Sequence, residues 1–122
     1  FATGKKSFVY RLDHDLGYTV GKDKVSGKYR TNKQGIRADR EYSLTPDDHV
    51  LRMAAFGDSY VFCDDEENKD AWPAQLEQMA GNLEVLNFGV SGYGFSQSAM
   101  RCTTMALSLP SSSRMISLGA AR

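Results

Sequence analysis

Two short segments of this chain hold the residues best suited to chemistry. Gly57-Asp58-Ser59 follows a mostly apolar run, Val50-Leu51-Arg52-Met53-Ala54-Ala55-Phe56. Gly89-Val90-Ser91-Gly92-Tyr93-Gly94 follows a second run, Leu83-Glu84-Val85-Leu86-Asn87-Phe88. A serine at the end of a strand can present its hydroxyl to a cleft as a nucleophile. Glycines at 89, 92 and 94 let the backbone approach a ligand closely and aim N–H groups at an anion. A nucleophile with backbone donors is the minimum of an acyl-transfer site. Taken singly, each piece has a plainer meaning, because turns favour Gly, Asp and Ser in any case.

Other reactive side chains fit known chemistries less well. Gly89, Gly92 and Gly94 do not have the G-x-G-x-x-G spacing of dinucleotide sites, and no phosphate-loop lysine follows. The acidic stretch Asp64, Asp65, Glu66, Glu67 and Asp70 lacks the spacing of a calcium loop and reads as a solvated face. Cys63 reads as a small buried residue and Trp72 as a core anchor. His14 and His49 both precede Ser59 and read as surface residues. Cys63 and Cys102 form neither a disulfide framework nor a metal spacing. No cofactor or metal is expected.

The two segments need a scaffold that brings them together. Residues 50–56 and 83–88 read as short buried strands. Ala71 to Ala80 suits a helix, with Asp70 as N-cap, Pro73 in the first turn and Gly81-Asn82 as the stop. Trp72, Leu76 and Met79 or Ala80 make its apolar stripe. Tyr60 to Asp70 reads as an acidic loop, Phe95 to Leu107 as a second helix, and Arg114 to Gly119 as a last strand. Strands alternating with helices predict an α/β domain with a parallel sheet, in which ligands bind beyond the carboxyl ends of the strands. Adjacent parallel strands would set Ser59 and Gly92 side by side.

The flanks differ from this unit. Residues 1–49 carry scattered aromatics and glycines at 4, 17, 21, 27 and 35, and read as an irregular β-rich arm ending in the turn Thr45-Pro46-Asp47-Asp48. Residues 101–122 carry three arginines, five serines and no acid, whereas residues 1–100 carry twelve basic and fifteen acidic side chains. The expected division is therefore an arm over 1–49, a core over 50–100 and an atypical tail over 101–122. The tail reads either as an exposed extension or as a truncated or out-of-frame end.

The 122 residues allow one domain, or one domain and an arm, and the composition of 41% hydrophobic and 25% charged residues is that of a folded chain. Fifteen basic and fifteen acidic residues give a net charge of zero, which argues against a broad electrostatic claim on nucleic acid. No apolar run approaches the length of a membrane span. The chain opens on Phe1 and shows no signal-peptide pattern, so its compartment, bacterial secreted or periplasmic among the options, is not fixed. Oligomeric state is likewise open.

The ordered set Gly57-Asp58-Ser59, Ala71-Trp72-Pro73-Ala74-Gln75-Leu76 and Val85-Leu86-Asn87-Phe88-Gly89-Val90-Ser91-Gly92-Tyr93-Gly94 resembles the SGNH (GDSL-type) hydrolases over positions 50–100. Asn32-Lys33-Gln34-Gly35-Ile36-Arg37 is similar to the arm that precedes the catalytic domain in some bacterial members. The resemblance implies a flavodoxin-like three-layer α/β/α core and hydrolysis of a small-molecule ester, an acylated sugar or lipid. It implies Ser59 as nucleophile and oxyanion N–H donor, Gly92 as a second donor, and Asp58, Gly57 and Asn87 in support. Tyr60 replaces the leucine of the family's name, and Cys63 stands where glycine is usual. The G-x-S-x-G elbow of α/β-hydrolases is not met, because Val61 fills its last position.

The family's Gly-x-Asn-Asp and Asp-x-x-His motifs do not occur in this chain. They would supply a further oxyanion donor, the base and the base's orienter. The expectation is the N-terminal part of an SGNH hydrolase, cut short or read out of frame near residue 101 and inactive alone. The rival expectations are a non-catalytic acyl- or sugar-binding module and a flavodoxin-like phosphate or flavin binder.

Overall fold

The computed structural model describes residues 10–106 and 113–118. Two antiparallel hairpins come first: β1 (Tyr10–Asp13) with β2 (Gly17–Val20), and β3 (Val25–Ser26) with β4 (Tyr29–Arg30). A bridge between Thr31 and Arg37 closes the following turn, where Gly35 takes the left-handed backbone that its lack of a Cβ permits. The central unit then runs β5 (Leu51–Gly57), α1 (Ser59–Phe62), α2 (Trp72–Ala80), β6 (Leu83–Asn87), α3 (Phe95–Ala106) and β7 (Ser113–Leu118).

β5, β6 and β7 form a parallel sheet in the order β6-β5-β7. Side chains alternate across its faces. Ala55 and Val85 pack with Val61 of α1 and Trp72 of α2 on one face. Ala54, Phe56, Leu86 and Phe88 pack with Cys102 of α3 on the other, with the Phe56 and Phe88 rings stacked at 5.0 Å. The chain is thus an α/β protein built on a parallel sheet.

The arm is bound into this unit. Ile36, Ala38 and Tyr42 belong to the same buried cluster as Ala54, Phe56, Leu86 and Phe88. The N–H of Arg37 donates to the carbonyl of Asn87 at 3.1 Å, so the arm runs along the outer edge of β6. Arg52, buried beneath the arm, pairs with Glu84 at 2.7 Å and donates to the Leu44 carbonyl at 3.3 Å. The change of composition at residue 101 is not a break in structure. α3 crosses it, and β7 pairs with β5 through Arg52–Gly57. Leu107 and Gly119, the expected ends of that helix and strand, lie outside the described residues.

Three local expectations need correction. Tyr60 to Asp70 is not all loop, since one helical turn starts at Ser59 and a 3-10 turn spans Asn68–Asp70. That 3-10 turn takes up Asp70, so α2 is capped by Ala71 with no side-chain bond. Of the expected apolar stripe of α2 only Trp72 packs on the core: Met79 is 82% exposed and Leu76 lies at the surface. Pro73 and Glu77 turn inward instead, because Arg40 and Tyr42 of the arm hold the Glu77 carboxylate at 2.7 and 3.0 Å.

Candidate functional site

Ser59 is the first residue of α1 and sits just past the carboxyl end of β5. Asp58 caps that turn, its carboxylate accepting from the N–H of Tyr60 at 3.0 Å, and is itself buried. An aspartate is a good cap because its short side chain reaches the free amides of the first turn. Ser59 is half-buried, between the capped aspartate and the exposed Tyr60.

The second segment meets the first across the sheet. β6 continues its pairing beyond Asn87, with the N–H of Phe88 on the Ala55 carbonyl at 2.9 Å and that of Val90 on the Gly57 carbonyl at 3.0 Å. The loop 89–94 therefore emerges at the same edge as Ser59, one strand away. Gly89 presses against α1: a Cβ there would lie 2.5 Å from the Phe62 nitrogen. Asn87 ties the two together, donating from Nδ2 to the Val61 carbonyl and accepting at Oδ1 from the Gly89 N–H, both at 2.9 Å. Gly57 is buried beneath the pair.

Gly92 is exposed and has φ +86, a backbone that L side chains rarely adopt. Tyr18 of the arm covers it: a Cβ on Gly92 would lie 2.5 Å from the Tyr18 hydroxyl, which donates to the Ser91 carbonyl at 2.6 Å. Tyr93 returns the contact, donating to the Tyr18 carbonyl at 2.7 Å, and the two rings meet edge to face at 5.5 Å. Burial pushes both phenols above their ordinary range. Ser91 donates to Asp64 at 2.6 Å, so one member of the acidic stretch is a structural tie, while Asp65, Glu66, Glu67 and Asp70 are exposed.

Neither histidine joins these groups. His14 lies on the β1–β2 turn with its side chain 99% exposed and its Nδ1 3.1 Å from Asp15. His49 is exposed just before β5, at the opposite end of that strand from Ser59. Seven extended residues separate the two ends by about 20 Å. Cys63 ends α1 in a left-handed conformation, φ +62, and burial pushes its thiol up, away from thiolate reactivity. Trp72 packs on Val61 and donates to the Tyr60 carbonyl at 3.0 Å. Among the described residues no group of three His, Cys, Asp or Glu is placed to hold a metal ion, and no helix is long and apolar enough to cross a membrane.

Sequence reasoning missed the roles of Arg37 and Tyr18. Arg37 is buried and donates to the carbonyls of Phe62, Cys63 and Glu66 and to Asn68. Its cation also lies over the rings of Tyr29 and Phe62. Nothing local marks either residue, since each acts on a segment far along the chain. No family model matches this chain, and no curated protein matches it.

Proposed function

We propose that the chain carries the nucleophile half of a serine ester hydrolase of the SGNH type. Ser59 is the nucleophile, and the N–H groups of Ser59 and Gly92 are the oxyanion donors. The observation that carries this reading is the shared edge: Ser59 and the 89–94 loop leave adjacent parallel strands at the same end, locked by Val90 on Gly57 and Asn87 on Val61. The strand order β6-β5-β7 supports a flavodoxin-like core. The first crossover leads to one side of β5 and the second returns to the other, which is the start of the doubly wound 2-1-3 order, and Ser59 lies beyond the carboxyl end of the strand at its reversal. Asp58, Gly57 and Asn87 hold the two segments in place.

In the reaction this geometry suits, the Ser59 hydroxyl attacks the ester carbonyl, the alcohol leaves, and water releases the acyl group. The Ser59 proton needs a base. With His14 at the surface of the arm and His49 at the far end of β5, the chain by itself should hydrolyse esters negligibly. Millimolar imidazole can stand in for the base. With p-nitrophenyl acetate and imidazole, a mixture that also acetylates exposed phenols and amines through acetylimidazole, peptide mapping should find an acetyl group on Ser59 of the wild type above a background that Ser59→Ala shares at other positions. Equal acetylation of both proteins would overturn the assignment of Ser59.

The exposure of His14 on the arm and the place of His49 at the far end of β5 favour, as a second reading, a module that binds an acylated sugar or lipid without cleaving it. Saturable ligand binding that is unchanged in Ser59→Ala, with no Ser59-dependent acetylation, would select it.

A further inference from the structure

We propose that Tyr18, a residue of the arm, positions the Gly92 N–H as an oxyanion donor by fixing the plane of the peptide between Ser91 and Gly92. This role rests on Ser59 as nucleophile and Gly92 as donor, and it gives the arm the task of setting the donor's direction.

The turn that carries Gly92 is defined by its hydrogen bond and its backbone angles. The N–H of Tyr93 donates to the Val90 carbonyl at 3.1 Å, so Ser91 and Gly92 are the two central residues of a β-turn. Gly92 has φ +86, while Ser91 keeps a negative φ. That combination is a type II turn. Type I differs from it mainly in the peptide between the central residues, which turns over through changes of about 150–170° in its two flanking angles. The rest of the chain need not move. Glycine is compatible with both forms, so the orientation of this peptide is set by what touches it.

Tyr18 touches it. Its hydroxyl donates to the Ser91 carbonyl at 2.6 Å. A Cβ on Gly92 would lie 2.5 Å from the same hydroxyl, so glycine is what lets the phenol reach this carbonyl. The peptide is trans, and in a planar trans peptide the C=O and the N–H point in opposite directions. Holding the Ser91 oxygen against the arm therefore turns the Gly92 N–H away from the arm. Gly92 is exposed, and among the described residues nothing accepts from that N–H. A donor already fixed in direction costs no reorganisation when an oxyanion forms. Tyr18 is itself held in place: Tyr93 donates to its carbonyl at 2.7 Å, and it pairs with Leu12 in the β1–β2 hairpin. Without the phenol, the Ser91 carbonyl would face a bare ring and would regain a hydrogen bond by turning over to water. The same movement would reverse the N–H.

The test reads the orientation of the peptide and the reactivity of Ser59 separately. In a type II turn the Ser91 Hα lies close to the Gly92 amide hydrogen, whereas in type I the amide hydrogens of Ser91 and Gly92 lie close to each other. Nuclear Overhauser effects in the 15N-labelled protein distinguish the two. The wild type should show the type II pattern, and Tyr18→Phe a mixture of both. With p-nitrophenyl acetate and imidazole, acetylation of Ser59 followed by peptide mapping should slow about fivefold in Tyr18→Phe, the shift in orientation that one neutral hydrogen bond is worth. Tyr93→Phe removes a bond between the same two segments without touching the Ser91–Gly92 peptide, and should leave both readings as in the wild type. A type I pattern in the wild type would overturn the proposal, even if Tyr18→Phe does not fold. So would a Tyr18→Phe protein that keeps the wild-type pattern or the wild-type rate, or an equal slowing in Tyr93→Phe, which would mark general loosening. Absence of acetyl from Ser59 in the wild type would overturn the reading of Ser59 and not the link between Tyr18 and the peptide, which the Overhauser pattern decides.

Discussion

The guanidinium of Arg37 donates to the carbonyl of Cys63 at 2.6 Å, joining a residue of the arm to the end of the turn that begins with Ser59. Helix ends leave carbonyls without partners, and a one-turn helix has no following turn to supply them. Here one buried cation satisfies the carbonyls of Phe62, Cys63 and Glu66 together. The conformation around the candidate nucleophile thus depends on a side chain placed before the central unit.

Removing that side chain strands several carbonyls at once. Arg37→Ala should destabilise the fold by about 3 kcal/mol or more, since each hydrogen bond from a charged donor contributes about 1.5–3 kcal/mol. Arg37→Lys should recover little, because an ammonium lacks the planar fork that reaches several acceptors. Urea unfolding of the two variants checks this. A loss below about 1 kcal/mol for Arg37→Ala would mean that water replaces the guanidinium at these carbonyls.

A double-mutant cycle at Tyr18 and Gly92 reads the contact over the loop. Tyr18→Phe should cost about 1 kcal/mol through the lost bond to the Ser91 carbonyl. Gly92→Ala should cost more. Its φ of +86 charges a side chain about 1–2 kcal/mol, and the new Cβ would sit 2.5 Å from the Tyr18 hydroxyl. In the double variant the hydroxyl is gone, so the combined loss should be smaller than the two single losses added. Simple additivity in urea unfolding would show that the loop moves away from Tyr18 freely.

Cys63 offers a test in the opposite direction. Its left-handed backbone, φ +62, is one that glycine adopts without strain. Its thiol makes weak sulfur contacts, to the Tyr60 and Val61 carbonyls at 3.4 and 3.5 Å and to the Trp72 backbone. Relief of strain is worth about 1–2 kcal/mol and the added freedom of the unfolded chain costs about 0.4–1 kcal/mol. Cys63→Gly should therefore be neutral or stabilising by up to about 1 kcal/mol, read from the urea midpoint. Clear destabilisation would assign the thiol a packing role.

The difference between Cys63 and Arg37 also shows what the sequence makes legible. The apolar runs before Gly57 and Gly89, and the helix opened by Pro73 and stopped at Gly81, are local signals. They predict a parallel α/β unit and place Ser59 and Gly92 after its strands. The stripe of α2 misleads because propensity cannot know that Arg40 and Tyr42 will pull Glu77 inward. Arg37 and Tyr18 stay hidden for the same reason. Their partners lie 26 and 73 positions away, in a segment without periodicity to announce a contact. The tail stands apart by composition, three arginines without an acid, while its helical and strand patterns are local signals; within it Arg101 is buried against Thr19 and Gly35, and β7 joins the sheet.

Tyr42 sets the alkaline limit of stability. Its hydroxyl donates to Glu77 at 3.0 Å inside the core. Burial, and then the Glu77 carboxylate, push its phenol well above the ordinary 10.0. Below the unfolded value both states hold the proton and the stabilisation is complete. Above it the unfolded chain releases the proton while the folded one keeps it, so stability falls as pH rises past about 10. Tyr18 and Tyr93, shifted in the same direction by burial, add to the fall. Urea midpoints from about pH 8 to about pH 11 should decline for the wild type. Tyr42→Phe should start lower by about 1 kcal/mol through the lost bond, yet decline less steeply, with part of the slope left to the other two phenols. An unchanged slope in Tyr42→Phe would remove Tyr42 from the alkaline transition and leave it to Tyr18 and Tyr93.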